Sequence, residues 1–413
     1  MLDLRFIRDN TDVVRKAVAD RHDNAPLDDI IELDIAKRQK MALVEELRCE
    51  RKNLAKTQGA DSAERGRELR DRIKYIDDEL RNIDSRLEDL LLRVPNIPQD
   101  SVPIGDSEDD NIVISTCGEM RKFDFLPAPH WELGERLGII DFERGVRLSG
   151  TRFYVLKGLG SRLQRSLINF MLNLHTEEHG YQEAYLPYMV KKECLIGSSN
   201  LPKFADNLYR DIEEDLWLVP TAEVPLTNMH RDEILPATDL PINYVAYTAC
   251  FRREKMSAGK DTRGIKRGHQ FDKVEMYKFT EPQNSNEELE YMVDNAVDIC
   301  RKLEIPYRIK KLCTADISFA STKTYDIEMW APGCEEWLEV SSCSNCGDFQ
   351  ARRANIRYRP TSDSKPQYVH TLNGSGLALP RVVIAVLENY QQSDGSIAVP
   401  DVLQPYMGVK TIK

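Results

Sequence analysis

Apolar residues fall at Leu69, Ile73, Ile76, Leu80, Ile83, Leu87 and Leu90, in alternating steps of four and three. That spacing is the seam of a heptad repeat and predicts one long helix. Upstream, Ile30, Leu33, Val44, Leu47 and Leu54 follow a looser version of it, with Lys37, Lys40 and Arg51 at other seam positions. Between the two runs lies Gln58-Gly59-Ala60-Asp61, where Asp61, with Glu64 three residues on, offers a helix cap. The pattern predicts an antiparallel coiled-coil hairpin over about residues 28–92. With about 30 residues per helix its arm would reach roughly 45 Å. Before it, Asn10–Ala19 reads as a short capped helix with Val13, Val14, Ala17 and Val18 turned inward.

The periodicity then breaks. RVPNIPQDSVPIGDSEDD, residues 93–110, carries three prolines and an acidic cluster, and reads as an extended linker. It sets the expected domains at 1–105 and 106–413. Beyond it, Leu163, Leu167, Phe170 and Leu174 predict a helix over 162–174, leading to a strand in YQEAYLPYMV that ends at Pro187. Further strand-like runs are LWLVP, INYVAYTACFRRE, QFDKVEMYKF and EEWLEVSS. They do not alternate regularly with helices, so the expected fold is α+β, with a mostly antiparallel sheet flanked by helices behind the helical arm.

Composition narrows the class. At 413 residues the chain is too long for one small core. The net charge of −11 argues against general nucleic-acid coating and leaves room for local basic patches. The longest apolar run, Val382–Leu387, is far too short to cross a bilayer, and the first ten residues lack the apolar stretch of a secretory signal. Nine scattered cysteines do not form a disulfide framework, and a reducing cytoplasm fits them. Cys343-Ser-Asn-Cys346 is half of a zinc pattern with no second pair at suitable spacing. His269 and His370 read as scaffold residues.

Two basic regions stand out. Between Arg48 and Lys74 nine bases face five acids, which suits either a solvated coiled-coil surface or an arm that grips a phosphate backbone. Residues 251–279, FRREKMSAGKDTRGIKRGHQFDKVEMYKF, hold nine Lys or Arg against four acids. They read as two strands joined by a glycine-hinged loop of about 16 residues. Period-2 alternation puts Arg252 and Glu254 on one face of the first strand. It groups Phe271, Lys273, Glu275, Tyr277 and Phe279 on one face of the second. A guanidinium suits phosphate, a carboxylate suits an amine, and an aromatic ring suits a stacked base. An exposed basic loop beside an amphipathic strand fits the spacing equally well. No G-x-x-x-x-G-K-[ST] loop is present.

FRRE…DTRG…HQFDKVEMYKF resembles motif 2 of the class II aminoacyl-tRNA synthetases, in the form carried by seryl-tRNA synthetases. MLDLRFIRDN, the arm, PNIPQDSVPIG, PTAEVPL, LEVSSCSNCGDFQARR and TLNGSGLALPR resemble that family in the same order, across essentially the whole chain. The resemblance implies an enzyme that ligates L-serine to tRNA(Ser) through a seryl-adenylate, and that also serves tRNA(Sec) where present. It implies ATP as substrate, Mg²⁺ and no zinc, and a homodimer through motif 1 at 162–187. The loop departs from the commonest bacterial pattern at Lys255 and Met256, and motif 3 ends ALPR where Val-Gly before the Arg is frequent.

Residue by residue, the resemblance assigns catalysis to Arg252, on the α-phosphate, and Arg381, on the γ-phosphate. ATP would also meet Glu254, Phe271, Glu339, Val340, Ser341 and Ser342, with Glu339 and Ser342 as the Mg²⁺ ligands. Serine would meet Thr221, Ala222, Glu223, Arg252, Glu275, Asn373 and Ser375, with Glu275 on its ammonium and Ser375 on its hydroxyl. The tRNA would meet Arg48, Arg51, Lys52, Lys56, Arg65, Arg67 and Arg70 of the arm, and Lys255, Lys260, Arg263, Lys266 and Arg267 of the loop. Two other readings stay open: a paralogue serving a non-tRNA acceptor, and a coiled-coil RNA-binding protein with an inactive ATP domain.

Overall fold

The computed structural model describes residues 1–56, 60–255 and 263–413, with backbone alone at 60 and 61. It divides into two compact units, Met1–Pro95 and Asn96–Lys413.

The first unit is helical: α1 (Leu4–Asp9), α2 (Thr11–Asp20), α3 (Leu27–Leu54) and α4 (Ala60–Leu91). Asp3 caps α1, its Oδ1 accepting from the N–H of Arg5 at 2.8 Å and of Phe6 at 3.3 Å. Leu69, Ile73 and Ile76 of α4 pack on Val44 and Leu47 of α3, and Ile83 and Leu87 extend the buried stripe. The helices run antiparallel, as cross-helix ion pairs show: Lys37–Asp84 at 2.7 Å, Lys40–Glu79 at 2.8 Å and Arg65–Glu50 at 3.0 Å. Three details differ from the sequence pattern. Val13 is 51% exposed, because α2 turns only Val14, Ala17 and Val18 inward. At the base of the arm Leu91, not Leu90, is the buried residue, the drift expected of a 3.6-residue helix against a 3.5-residue repeat. Helix α4 begins at Ala60, so Asp61 falls inside it; the Asp61 side chain, and Gln58 and Gly59 of the turn, lie outside the described residues.

The Pro-rich segment from Asn96 onward is bound to the second unit. Asn96 Nδ2 donates to the carbonyls of Ala320 and Cys346, both at 2.8 Å, and Gln99 N–H donates to Thr322 O at 2.9 Å. Val102 is buried with Leu312 and Ile317. These bonds explain why the units divide after Pro95 and not near residue 105.

The second unit is built on an eight-stranded sheet. In chain order its strands are β1 (Ile112–Cys117), β2 (Gln182–Glu183), β3 (Ile242–Phe251), β4 (Gln270–Thr280), β5 (Tyr307–Lys311), β6 (Lys323–Ala331), β7 (Glu336–Asn345) and β8 (His370–Ala378). They lie in the order β1-β5-β6-β7-β8-β4-β3-β2, antiparallel throughout except for β2 against β3. Helices α5 (Leu159–Glu177), α6 (Ser285–Lys302) and α7 (Leu379–Asn389) share the main apolar core with Val274 and Met276 of β4. The alternate β4 residues Tyr277 and Phe279 belong to a second cluster with Ala246, Ala222 and Leu226. Period 2 thus sends the odd-numbered side chains of β4 away from the helical core.

Two expected strands are shorter than their sequence pattern. YQEAYLPYMV pairs with β3 only over Gln182–Glu183; Ala184 N–H makes one further bond to Val245 O, and Tyr185 is then 90% exposed. Strand β3 stops at Phe251, so Arg252 and Glu254 are not on a strand face. The chain is drawn off because Arg253 N–H donates to Asn207 O at 3.0 Å and Arg253 Nε donates to Leu208 O at 2.9 Å. Glu254 then takes a φ of 50°.

Candidate active site

A cavity of about 360 Å³ opens where β4, β7 and β8 meet the start of α7. From β4 it receives Phe271, Lys273 and Glu275, the three residues its outward alternation selects. From β7 it receives Glu339, Val340, Ser342 and Ser344. Strict alternation would not turn both Glu339 and Val340 to one side. A β-bulge does so: Ser341 pairs with Ile327 and Glu339 with Glu328, leaving Val340 as the extra residue. On β8 the register slips once between Ser375, opposite Glu275, and Ala378, opposite Lys273, and both of these β8 residues reach the cavity.

Two buried carboxylates, Glu223 and Glu275, belong to the cavity. Glu275, 2% exposed, forms an ion pair with Lys273 in which its Oε2 lies off the hydrogen-bonding direction. Glu223 stands close enough for the two carboxylates to repel. Its Oε1 accepts from Gln350 Nε2 at 2.6 Å and from Asn373 Nδ2 at 3.1 Å. Burial, and then the charge of Glu275, push the Glu223 carboxyl up to about 7, against the opposing bond from Gln350. Gln350 is itself fixed, its Oε1 accepting from Thr371 Oγ1 at 2.7 Å and Tyr277 OH at 3.1 Å. Two carboxylates and one ammonium form a floor suited to a second cation.

Cations line the same cavity, Arg252 near enough to Glu223 to favour its charged form. Arg252 donates from Nε to Pro220 O at 3.2 Å, and its guanidinium carbon lies 5.1 Å from the centre of the Phe271 ring. Arg381, just inside α7 after Pro380, donates from Nη1 to Glu339 O at 2.6 Å and stands 3.2 Å from Glu339 Oε2. Lys266 and Arg267 line the same space, Lys266 paired with Glu336 and Arg267 3.8 Å from Glu254. Behind Glu339 and Ser342 lies Asp326, whose carboxyl is raised well above the usual range by burial and by the charge of Glu339. Its Oδ1 accepts no hydrogen bond among the described residues. In the cavity itself the Glu339 carboxylate and the Ser342 hydroxyl are hard oxygen donors of the kind that suits a divalent cation such as Mg²⁺.

Most residues named from the sequence therefore share one cavity: Thr221, Glu223, Arg252, Glu254, Phe271, Glu275, Glu339, Val340, Ser342, Asn373, Ser375 and Arg381. Ala222 and Ser341 do not line it. Ala222 is fully buried in the second cluster, and Ser341 Oγ donates to Ser375 O at 2.6 Å. Sequence reasoning assigned no role to Lys273, Ser344, Ser318 or Asp326. Alternation from Glu275 marks Lys273 as a cavity residue, whereas no local signal marks Asp326 or Ser318. Cys343 and Cys346 are buried thiols; Cys346 Sγ lies 3.5 Å from Asn373 Nδ2. Among the arm residues, Arg48, Arg65 and Arg70 are paired with carboxylates, and Arg51, Lys52, Lys56 and Arg67 are exposed. Arg263 lies over the Trp131 ring at 4.7 Å. Lys255 is exposed, and Lys260 lies outside the described residues.

Residues 1–98 match the family model of the seryl-tRNA synthetase N-terminal domain, and residues 204–390 match the tRNA synthetase class II core domain (G, H, P, S and T). A serine--tRNA ligase of Dehalococcoides mccartyi is 64% identical over 413 residues, all of both chains. The seryl-tRNA synthetase of Pyrococcus horikoshii, solved in complex with ATP, superposes with a TM-score of 0.95 at 38% identity, over 100% of this chain and 99% of that one. The cytoplasmic serine-tRNA ligase of Naegleria fowleri, solved with AMP, gives 0.92 at 31% identity, over the same shares. With its helical arm, its antiparallel sheet and this cavity, the chain belongs to the seryl-tRNA synthetases of the class II aminoacyl-tRNA synthetase family.

Proposed function

We propose that the chain ligates L-serine to tRNA(Ser), and to tRNA(Sec) where that RNA is present. In the first step the serine carboxylate attacks the α-phosphate of ATP, giving seryl-adenylate and pyrophosphate. In the second, the 3′-terminal ribose hydroxyl of the tRNA takes the seryl group and AMP leaves. What carries this reading is that one cavity brings together the buried carboxylates Glu223 and Glu275 with the guanidinium groups of Arg252 and Arg381.

These groups suit a substrate pair in which an ammonium and a triphosphate meet at one carboxylate. Glu275 holds the serine ammonium, with Glu223 in support, and Thr221, Asn373 and Ser375 surround the hydroxyl. A site whose polar groups need that hydroxyl disfavours alanine, which leaves them unpaired. Phe271 stacks on adenine and Glu254 accepts from its amino group. Arg252 holds the α-phosphate and Arg381 the γ-phosphate, where preorganised cations stabilise charge as it develops. Glu339 and Ser342 would hold Mg²⁺, whose charge would offset that of the phosphates.

The exposed cations of the α3–α4 arm meet the long variable arm of the tRNA through its backbone, as double-stranded RNA is usually read. The protein works in the cytoplasm as a homodimer through motif 1, here α5 and the segment to Pro187. The test is ATP–pyrophosphate exchange with serine, followed by aminoacylation of tRNA(Ser). Absence of serine-dependent exchange contradicts the reading. Exchange without charging by the full-length protein points instead to a non-tRNA acceptor.

A further inference from the structure

Glu388 of α7 and His130, the first residue of the short helix His130–Arg136, are both fully buried. Neither lines the cavity. Glu388 Oε1 accepts from the His130 N–H at 2.9 Å and lies 3.0 Å from His130 Nδ1 and 3.0 Å from Cys334 Sγ. Its Oε2 accepts from the N–H groups of Gly333 and Cys334 at 2.8 and 3.0 Å. The other ring nitrogen of His130, Nε2, accepts the N–H of Ile265 at 3.2 Å. An imidazole that accepts at Nε2 in its neutral form carries its proton at Nδ1, and so donates to Glu388. Burial holds the His130 imidazole below its usual range. For Glu388, hydrogen bonds from His130 and Cys334 outweigh burial and hold the carboxyl below its own.

Ile265 belongs to the connection between β3 and β4, and the two residues after it, Lys266 and Arg267, line the cavity. Three contacts tie this limb to the helix at 130. They are the Ile265 bond, the Arg263 guanidinium over Trp131, and Gly264, whose φ is +77°. A Cβ at Gly264 would collide with His130 Nε2. His130, Cys334 and Glu388 are also close enough together to suggest a metal site. The donors described above already occupy Glu388 and both ring nitrogens, which fits a hydrogen-bonded clamp and not coordination.

We propose that His130, oriented by Glu388, is a positioning residue for adenylate formation: its Nε2 fixes Ile265, and with it the placement of Lys266 and Arg267 toward the phosphates of ATP. This rests on the reading of the cavity as an ATP site. Lys266 pairs with Glu336 and Arg267 lies 3.8 Å from Glu254, the residue assigned to adenine, so the clamp governs the use of ATP more than that of serine.

The experiment is ATP–pyrophosphate exchange by the full-length protein and its variants, with melting temperatures recorded alongside. His130→Asn keeps a donor near the Nδ1 position for Glu388 and has no acceptor near Nε2. His130→Gln carries an oxygen that reaches toward Ile265. We expect His130→Asn to raise the ATP KM about fivefold or more, the effect of losing one neutral hydrogen bond, with the serine KM within about twofold. His130→Gln should recover most of that loss. Gly264→Ala disturbs the same contact from the loop side and should give the same ATP-selective defect, so it carries the test should His130→Asn fail to fold. An unchanged ATP KM in the folded variants, an equal rise in both KM values, or one equivalent of tightly bound metal in the purified protein overturns the proposal. Absence of exchange by the unsubstituted protein defeats the ATP reading itself; exchange there with unaltered ATP KM in the variants defeats only the clamp.

Discussion

Arg381 Nη1 stands 2.6 Å from the carbonyl oxygen of Glu339 and 3.2 Å from its carboxylate, so the cation proposed for the γ-phosphate and the carboxylate proposed for Mg²⁺ face each other across the cavity wall. Glu339 lies next to the bulge residue Val340, and both line the cavity with Arg381. Arg381→Gln should lower kcat/KM for exchange by about 10²-fold or more, the usual cost of removing a preorganised charge stabiliser. Glu339→Gln should instead raise the Mg²⁺ concentration giving half-maximal exchange, by about tenfold. A Mg²⁺ titration of each variant separates the two roles.

Glu223 supplies a pH test. Its carboxyl titrates at about 7, because burial and Glu275 disfavour its charge. As pH rises through that value the floor gains a negative charge, and the serine KM should fall several-fold between pH 6 and 8. Glu223→Gln should flatten this dependence. The stability sign is opposite. Between the ordinary carboxylate range and about 7 the folded protein holds a proton that the unfolded chain has released, so this group's contribution to stability falls as pH rises across that window. Thermal melts of the Glu223→Gln variant against the parent check that sign.

Removal of residues 28–92, with the ends joined by a short flexible linker, should leave serine-dependent exchange near its full rate and abolish charging of tRNA(Ser). Within the arm the cations differ. Arg65 is paired with Glu50 and Glu68 at 3.0 Å each, whereas Arg51, Lys52 and Lys56 are exposed. Neutralising an exposed cation that meets phosphate should reduce the salt dependence of tRNA binding by about one unit of slope. Arg65→Ala should change it less, since its charge is already compensated. Filter binding across a salt series gives both slopes.

The residues that repeat were the legible ones. Heptad spacing located α3 and α4, and period-2 alternation placed Phe271, Lys273 and Glu275 on one face, because those periods follow from backbone geometry alone. What local pattern hides is set by distant chain segments. Val340 is the extra residue of a bulge defined by its partner strand, and Arg253 is pulled out of β3 by carbonyls at 207 and 208. Asp326 of β6 lies behind the site because its strand pairs with that of Ser342, 16 residues away in the chain. The arm's charge bias was visible, yet which cations are already paired depends on the facing helix.

The division of the cavity between ammonium and phosphate is most directly tested by measuring both KM values of Glu275→Gln in serine-dependent ATP–pyrophosphate exchange. Removing a buried charge that holds the substrate ammonium should raise the serine KM by about a hundredfold and leave the ATP KM within about twofold. Equal changes in the two KM values would contradict the assignment of the ammonium and the phosphates to different groups of this cavity.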